Sequence, residues 1–182
     1  MRWNWIDRIV RFEPERRLVA VKNVSAAEEH LHDHFPAEAG RPASAVMPAS
    51  LIIEGMAQAA GLLAGSAHGF REKVILAKIT SARLDDEAIP GDQLVYDAVL
   101  ERVDAAGASA VGTVRLRRPV REGEIEEIEI GEISLLFSHV DANRSGLEFP
   151  QENFVFSENF RSIIAAAGLG HLVAATAGRS AG

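Results

Sequence analysis

Two short strand-like stretches rich in β-branched and other apolar residues, Trp5–Phe12 and Arg17–Lys22, lie near the start of the chain, parted by the turn-prone Glu13-Pro14-Glu15. That pattern predicts a β-hairpin. Residues 31–48 read as loop, and Pro48 with Ser50 marks the start of a helix whose body is the apolar run Leu51–Gly65, ending between Gly65 and Gly69. From Lys73 onward the period changes again, and strands are predicted over 74–80, 93–103, 108–116 and 131–139, with Pro90-Gly91 as a turn. One long apolar helix followed by a run of antiparallel strands predicts an α+β fold in which the sheet wraps the helix. Gly55, Gly61 and Gly65 would let strands approach that helix closely, each at a cost of about 1 kcal/mol in helix propensity. After Asp141 the composition turns to Asn, Ser, Gly, Pro and Gln. There Ser157–Gly168 predicts one docked helix with Phe160, Ile163, Ile164 and Ala167 on a single face, followed by a frayed end. The organisation expected is one domain over residues 1–140 and an extension over 141–182.

Bulk composition narrows the function classes. A chain of 182 residues with 47% hydrophobic content can bury one real core. A net charge of -7 argues against a nucleic-acid-binding face and against attraction to anionic membranes. The apolar run 51–65 falls short of the roughly 20 residues that span a bilayer, so a core helix is expected rather than membrane insertion. There is no cysteine, which removes disulfides, thiolate chemistry and Cys-type zinc sites. The opening residues lack the pattern of a secretory signal, and a cytoplasmic protein is the default expectation.

Within Leu51–Gly65 the only polar side chains are Glu54 and Gln58, four residues apart and therefore on one helical stripe. A carboxylate buried on a helix that is apolar nearly all round favours its protonated form unless it finds a partner, which makes Glu54 a candidate proton donor. The alternative is a carboxylate satisfied by a backbone group or an arginine. Twenty residues earlier His34 stands in Asp33-His34-Phe35-Pro36, and the connection between the two ends at Met47-Pro48. A histidine and a protonatable carboxyl aimed at one apolar slot form an acid/base pair.

Taken together, Ala20–Glu28, His34-Phe35-Pro36, Met47-Pro48, Leu51–Gly61 and Ile89–Leu94 resemble the 3-hydroxyacyl-(acyl carrier protein) dehydratases of the FabZ/FabA type, in order and approximate spacing over residues 5–140. The resemblance implies the hotdog fold, a homodimer or higher oligomer whose sheets join edge to edge, and two active sites per dimer. Each site would pair the histidine of one subunit with the helix carboxylate of the other. His34 falls on the catalytic histidine, Glu54 on the catalytic carboxylate and Gln58 on the glutamine one turn further along. Ala49 falls where a glycine amide usually holds the thioester carbonyl, with Met47 and Ser50 beside it as substrate-binding candidates. The substrate implied is an acyl carrier protein thioester of fatty-acid synthesis, and no metal or redox cofactor is implied. Two departures stand out. The segment from His34 to Glu54 is six residues longer than the compact pattern, and Ala49 excludes a backbone conformation that only glycine takes easily.

Other constellations compete for attention. His30, His32 and His34 alternate and would line one side of an extended backbone as a metal site, although rim positions fit His30 and His32 better. His68 lies near the helix end, while His139 and His171 have no evident partner. Arg115, Arg117, Arg118 and Arg121 form a basic cluster that would meet an acidic carrier or simply solvate a strand face against Glu122, Glu124, Glu126, Glu127 and Glu129; the solvated face is the favoured reading. Besides the dehydratase, a non-catalytic acyl-thioester-binding hotdog protein and a hotdog thioesterase using Glu54 to activate water fit the same residues.

Overall fold

The computed structural model describes residues 4–32, 36–39, 44–121, 123–139 and 158–174. The hairpin is present as β1 (Arg8–Glu13) and β2 (Arg17–Asn23), paired antiparallel from Arg8 opposite Val21 to Glu13 opposite Arg17. A short turn of helix, α1 (Glu29–His32), precedes the long helix α2 (Ala49–Ala67). Four long strands follow: β3 (Val74–Leu84), β4 (Gln93–Asp104), β5 (Gly107–Pro119) and β6 (Ile125–His139). After them come α3 (Glu158–Ala166) and α4 (His171–Ala174).

All six strands form one antiparallel sheet in the order β1-β2-β4-β5-β6-β3. Its inner face is apolar at alternate positions: Leu18 and Ala20 on β2, Leu94, Tyr96 and Ala98 on β4, Val114 and Leu116 on β5, and Ile133 and Leu135 on β6, all buried. Into this trough packs α2 through Ile52, Met56, Ala59, Ala60 and Leu63, spaced as one helical face. Two glycines set the distance between the layers. A Cβ on Gly55 would fall 2.3 Å from the Tyr96 hydroxyl, and one on Gly112 would fall 2.1 Å from the Met56 sulfur. The strands therefore close on the helix where side chains are missing, as the glycine spacing predicts for Gly55; at Gly61 a Cβ would meet Phe137 at an ordinary 3.5 Å.

Four strand boundaries differ from the sequence reading by three residues or more, the first being β1, which begins at Arg8 rather than 5. β3 continues to Leu84 rather than stopping at 80, β5 continues to Pro119 rather than 116, and β6 begins at Ile125 rather than 131. The acid-rich start of β6 lacks clean alternation, but its glutamates lie opposite the arginines of β5: Arg117 faces Glu127 and Arg118 faces Glu126. Cross-strand charge pairing carries the ladder where the apolar pattern fails. The helix expected near the end of the chain is α3, with Ile163 and Ile164 buried and Phe160 and Ala167 packed against the same core.

Candidate active site

Helix α2 begins without a side-chain cap. Its N-cap residue is Pro48, whose carbonyl accepts the amides of Leu51 at 2.9 Å and Ile52 at 3.3 Å. The entering loop is pinned by the Met47 amide, which donates to the Ala88 carbonyl at 2.8 Å, and Met47 itself is buried. Ala49 and Ser50 are exposed in the first turn, where helix amides lack intrahelical acceptors and the dipole favours negative charge. The alanine carries no conformational cost: Glu15 and Phe70 are the non-glycine residues with positive φ among those described, so position 49 does not require glycine.

One turn into the helix, Glu54 and Gln58 touch. The Gln58 side-chain amide donates from Nε2 to Glu54 Oε1 at 3.0 Å, and Gln58 Oε1 accepts the backbone amide of Trp5 at 2.8 Å. The backbone donor fixes which end of the Gln58 amide faces the carboxyl, because an N–H can be met only by the oxygen. Of the two side chains Gln58 is the buried one, at 9% exposure, while Glu54 is only half-buried. Full burial of Glu54 therefore does not hold within this chain; its polar neighbour carries the desolvation and is repaid by the Trp5 amide. Gln58 engages Oε1 of Glu54 and not Oε2.

Beneath this turn lies Tyr96, fully buried against Gly55, its hydroxyl without a hydrogen-bond partner among the described residues. Burial holds its phenol above the usual range, with Asp7 and Glu28 adding to the effect. His34 and its neighbours Asp33 and Phe35 lie outside the described residues, as do 40–43 of the lengthened connection. The remaining candidates, Met47, Ala49, Ser50, Glu54 and Gln58, come together at the first turns of α2. The sequence did not point to the Trp5 amide, since a main-chain donor leaves no mark on residue identity.

The other constellations resolve differently. Residues 29–32 are helical, so His30 and His32 do not alternate along an extended backbone; His30 packs edge-on against Trp5 at 5.0 Å and lies 3.5 Å from Glu28. Three members of the arginine cluster are taken up in ion pairs, but of the glutamates named for a solvated face only Glu127 takes part among the described residues; two other partners, Asp92 and Asp97, are buried. Arg115 bridges Asp97 and Glu127, both at 3.0 Å, Arg117 meets Glu127 at 2.8 Å, and Arg118 meets Asp92 at 2.8 Å. Arg17, with Arg115, holds the Asp97 carboxyl below the ordinary carboxylate range. His139, for which the sequence offered no partner, is buried beside Glu72 and His68.

A single sheet curled round one central helix, with an acid on the helix face near its open start, defines a hotdog fold. A FabA-like domain model matches residues 2–128, and the chain belongs to that family. It is 46% identical over 98 residues to the 3-hydroxyacyl-(acyl-carrier-protein) dehydratase FabZ of Neisseria meningitidis serogroup C, a match covering 52% of this chain and 62% of that protein. The FabZ of an Acidovorax species is 38% identical over 115 residues, covering 61% of this chain and 75% of the relative. Among solved structures the dehydratase heterocomplex ApeI:P from Xenorhabdus doucetiae superposes with a TM-score of 0.55 at 17% identity, over 75% of this chain and 83% of that one. A thioesterase family protein from Silicibacter pomeroyi gives 0.55 at 16% identity, over 72% and 82%. At such identities these two structures speak for the fold alone. No helix among the described residues is long and apolar enough to cross a membrane.

Proposed function

We propose that the protein dehydrates (3R)-hydroxyacyl thioesters of acyl carrier protein to trans-2-enoyl thioesters, as a cytoplasmic enzyme of fatty-acid biosynthesis. The observation that carries this reading is the hydrogen-bonded series Trp5–Gln58–Glu54 beside the exposed start of α2. It fixes one Glu54 carboxyl oxygen on a helix whose first turn has amides free to hold a carbonyl. The identity to FabZ dehydratases supports the substrate class.

In the proposed reaction His34 takes the α-proton while the thioester oxygen, gaining enolate charge, is held by an amide of the first turn, at Ala49 or Ser50. Electrons collapse to form the Cα=Cβ double bond, the Cβ–O bond breaks, and Glu54 gives its proton to the departing hydroxyl, which leaves as water. The net change is loss of one water, with His34 protonated and Glu54 ionised until solvent restores them. No metal enters these steps.

We further propose a homodimer formed along β3, with residues 1–140 as the catalytic domain and 141–182 as an extension. β3 is an edge strand, and it exposes Ile75, Leu76 and Ile79, a row that an unpaired edge does not ordinarily leave to water. The resemblance to the dehydratases implies that in such a dimer His34 of one subunit serves the site at Glu54 of the other.

The test is a spectrophotometric assay in both directions on 3-hydroxyacyl and enoyl thioesters. The unaltered protein should interconvert them, and Glu54→Gln and His34→Ala should each lose about 10²- to 10⁴-fold in kcat with native circular dichroism. An unaltered protein without turnover, variants as active as their parent, or release of free thiol instead of an enoyl product would each defeat this assignment.

A further inference from the structure

At the far end of α2 a second polar cluster lies roughly 20 Å from Glu54, at about 1.5 Å per helical residue. His68 closes the helix as its C-cap, Glu72 follows in the lead-in to β3, and His139 is the last residue of β6, opposite Val74. One ligand atom from each residue lies within 4.8 Å of the other two. The rings of His68 and His139 meet edge-on with centroids 4.7 Å apart. His139 Nδ1 is 2.7 Å from Glu72 Oε2, and His68 Nδ1 is 3.9 Å from the same oxygen.

His139 is the informative member. Its side chain is 2% exposed, yet neither ring nitrogen has a hydrogen-bond partner among the described residues, and the short approach to Glu72 lacks the angle of a hydrogen bond. The Nε2 atom of His68 is likewise buried without a partner. A buried imidazole normally donates from one nitrogen and accepts at the other, and leaving both unmet is costly. Buried imidazole nitrogens without hydrogen bonds, crowded beside a carboxylate, are disposed to bind an ion between them.

We infer that His68, Glu72 and His139 form a binding site for a divalent transition-metal ion of the zinc type. Two imidazoles and one carboxylate suit a borderline cation, with water completing a tetrahedron, whereas calcium and magnesium require more oxygen ligands. The site is accessible: His139 forms the floor, while the His68 and Glu72 side chains are 31% and 38% exposed. An ion there would tie together the end of α2, the start of β3 and the end of β6. Its role is a structural clamp, independent of the proposed reaction.

Calorimetric titration of the full, tag-free chain with Zn²⁺ tests this, paired with a thermal melt. One equivalent should bind and raise Tm, and magnesium should do neither. His68→Ala and Glu72→Gln alter half-exposed side chains and should fold. Each should weaken Zn²⁺ binding by more than the roughly 10- to 100-fold typical of losing an outer-shell partner. His30→Ala should bind as the parent does. Absence of one-to-one binding, undiminished affinity in the first two variants, or loss in His30→Ala alone would overturn the site.

Discussion

At its N-terminal end helix α2 carries Glu54 and Gln58, whose contact is completed by a main-chain amide from residue 5; at its C-terminal end His68, Glu72 and His139 crowd together, with both ring nitrogens of His139 and Nε2 of His68 lacking a hydrogen-bond partner among the described residues. Both clusters adjoin the same apolar core, so burial alone does not distinguish them. The first end has its polar partner built into the fold, and in the proposed reaction that fixed partner orients the Glu54 carboxyl. The second end leaves lone pairs unspent, and unspent lone pairs invite an ion. Satisfaction prepares a group for chemistry on a substrate, whereas its lack prepares a group to receive a ligand.

The sharpest way to break this contrast is to remove the built-in partner. Gln58→Leu keeps the volume but leaves the Trp5 amide unpaired and Glu54 unoriented. A loss of about 10²-fold in kcat is expected with KM little changed, since a misplaced catalytic group affects the chemical step. Stability should fall by about 1–3 kcal/mol in urea titration. Equal activity of this variant would mean that Glu54 needs no orientation from Gln58.

Next in size is Gly55→Ala. The added methyl meets a buried ring rather than the end of a flexible chain, so a loss of about 1–3 kcal/mol is expected from the urea midpoint. Parent-like stability would show that the helix and β4 can separate freely beneath the site.

Tyr96 supplies a pH test, and as the chain's one tyrosine it can be followed by phenolate absorbance. Its folded-state pKa is raised by burial, so the stability it confers is complete below the unfolded value near 10 and is lost as pH rises above that value. Stability should therefore decline by up to about 1.4 kcal/mol per pH unit above 10, with no phenolate signal until the protein unfolds. Tyr96→Phe should abolish that part of the decline, and ionisation of Tyr96 in the native protein near pH 10 would contradict it. The smallest effect belongs to Ala49→Gly, which should cost about 0.5–1 kcal/mol in stability with kcat nearly unchanged, since the helical backbone there gains nothing from glycine. A large gain in kcat would mean that the bound state demands another conformation at position 49.

Much of this architecture was legible in the chain because it rests on local periodicity. The run from Leu51 to Gly65 could hardly be other than a core helix, and two polar residues four apart had to share a face. Gly55 announced a close approach, although Tyr96 as the approaching group depended on strand order. The strand over the acidic stretch at 125–130 was hidden because its support is cross-strand, from arginines on β5. The cluster at the other end of α2 was hidden for a similar reason: His139 stands far along the chain from His68 and Glu72, and only the pairing of β3 with β6 brings it back.

Holding Gln58 by a peptide N–H has one more outcome. Nineteen of the twenty amino acids present the same donor at position 5, so the side chain there can drift without disturbing the carboxamide's alignment. Proline alone would delete it. The alignment is thus protected against almost every coding change at the residue that provides it.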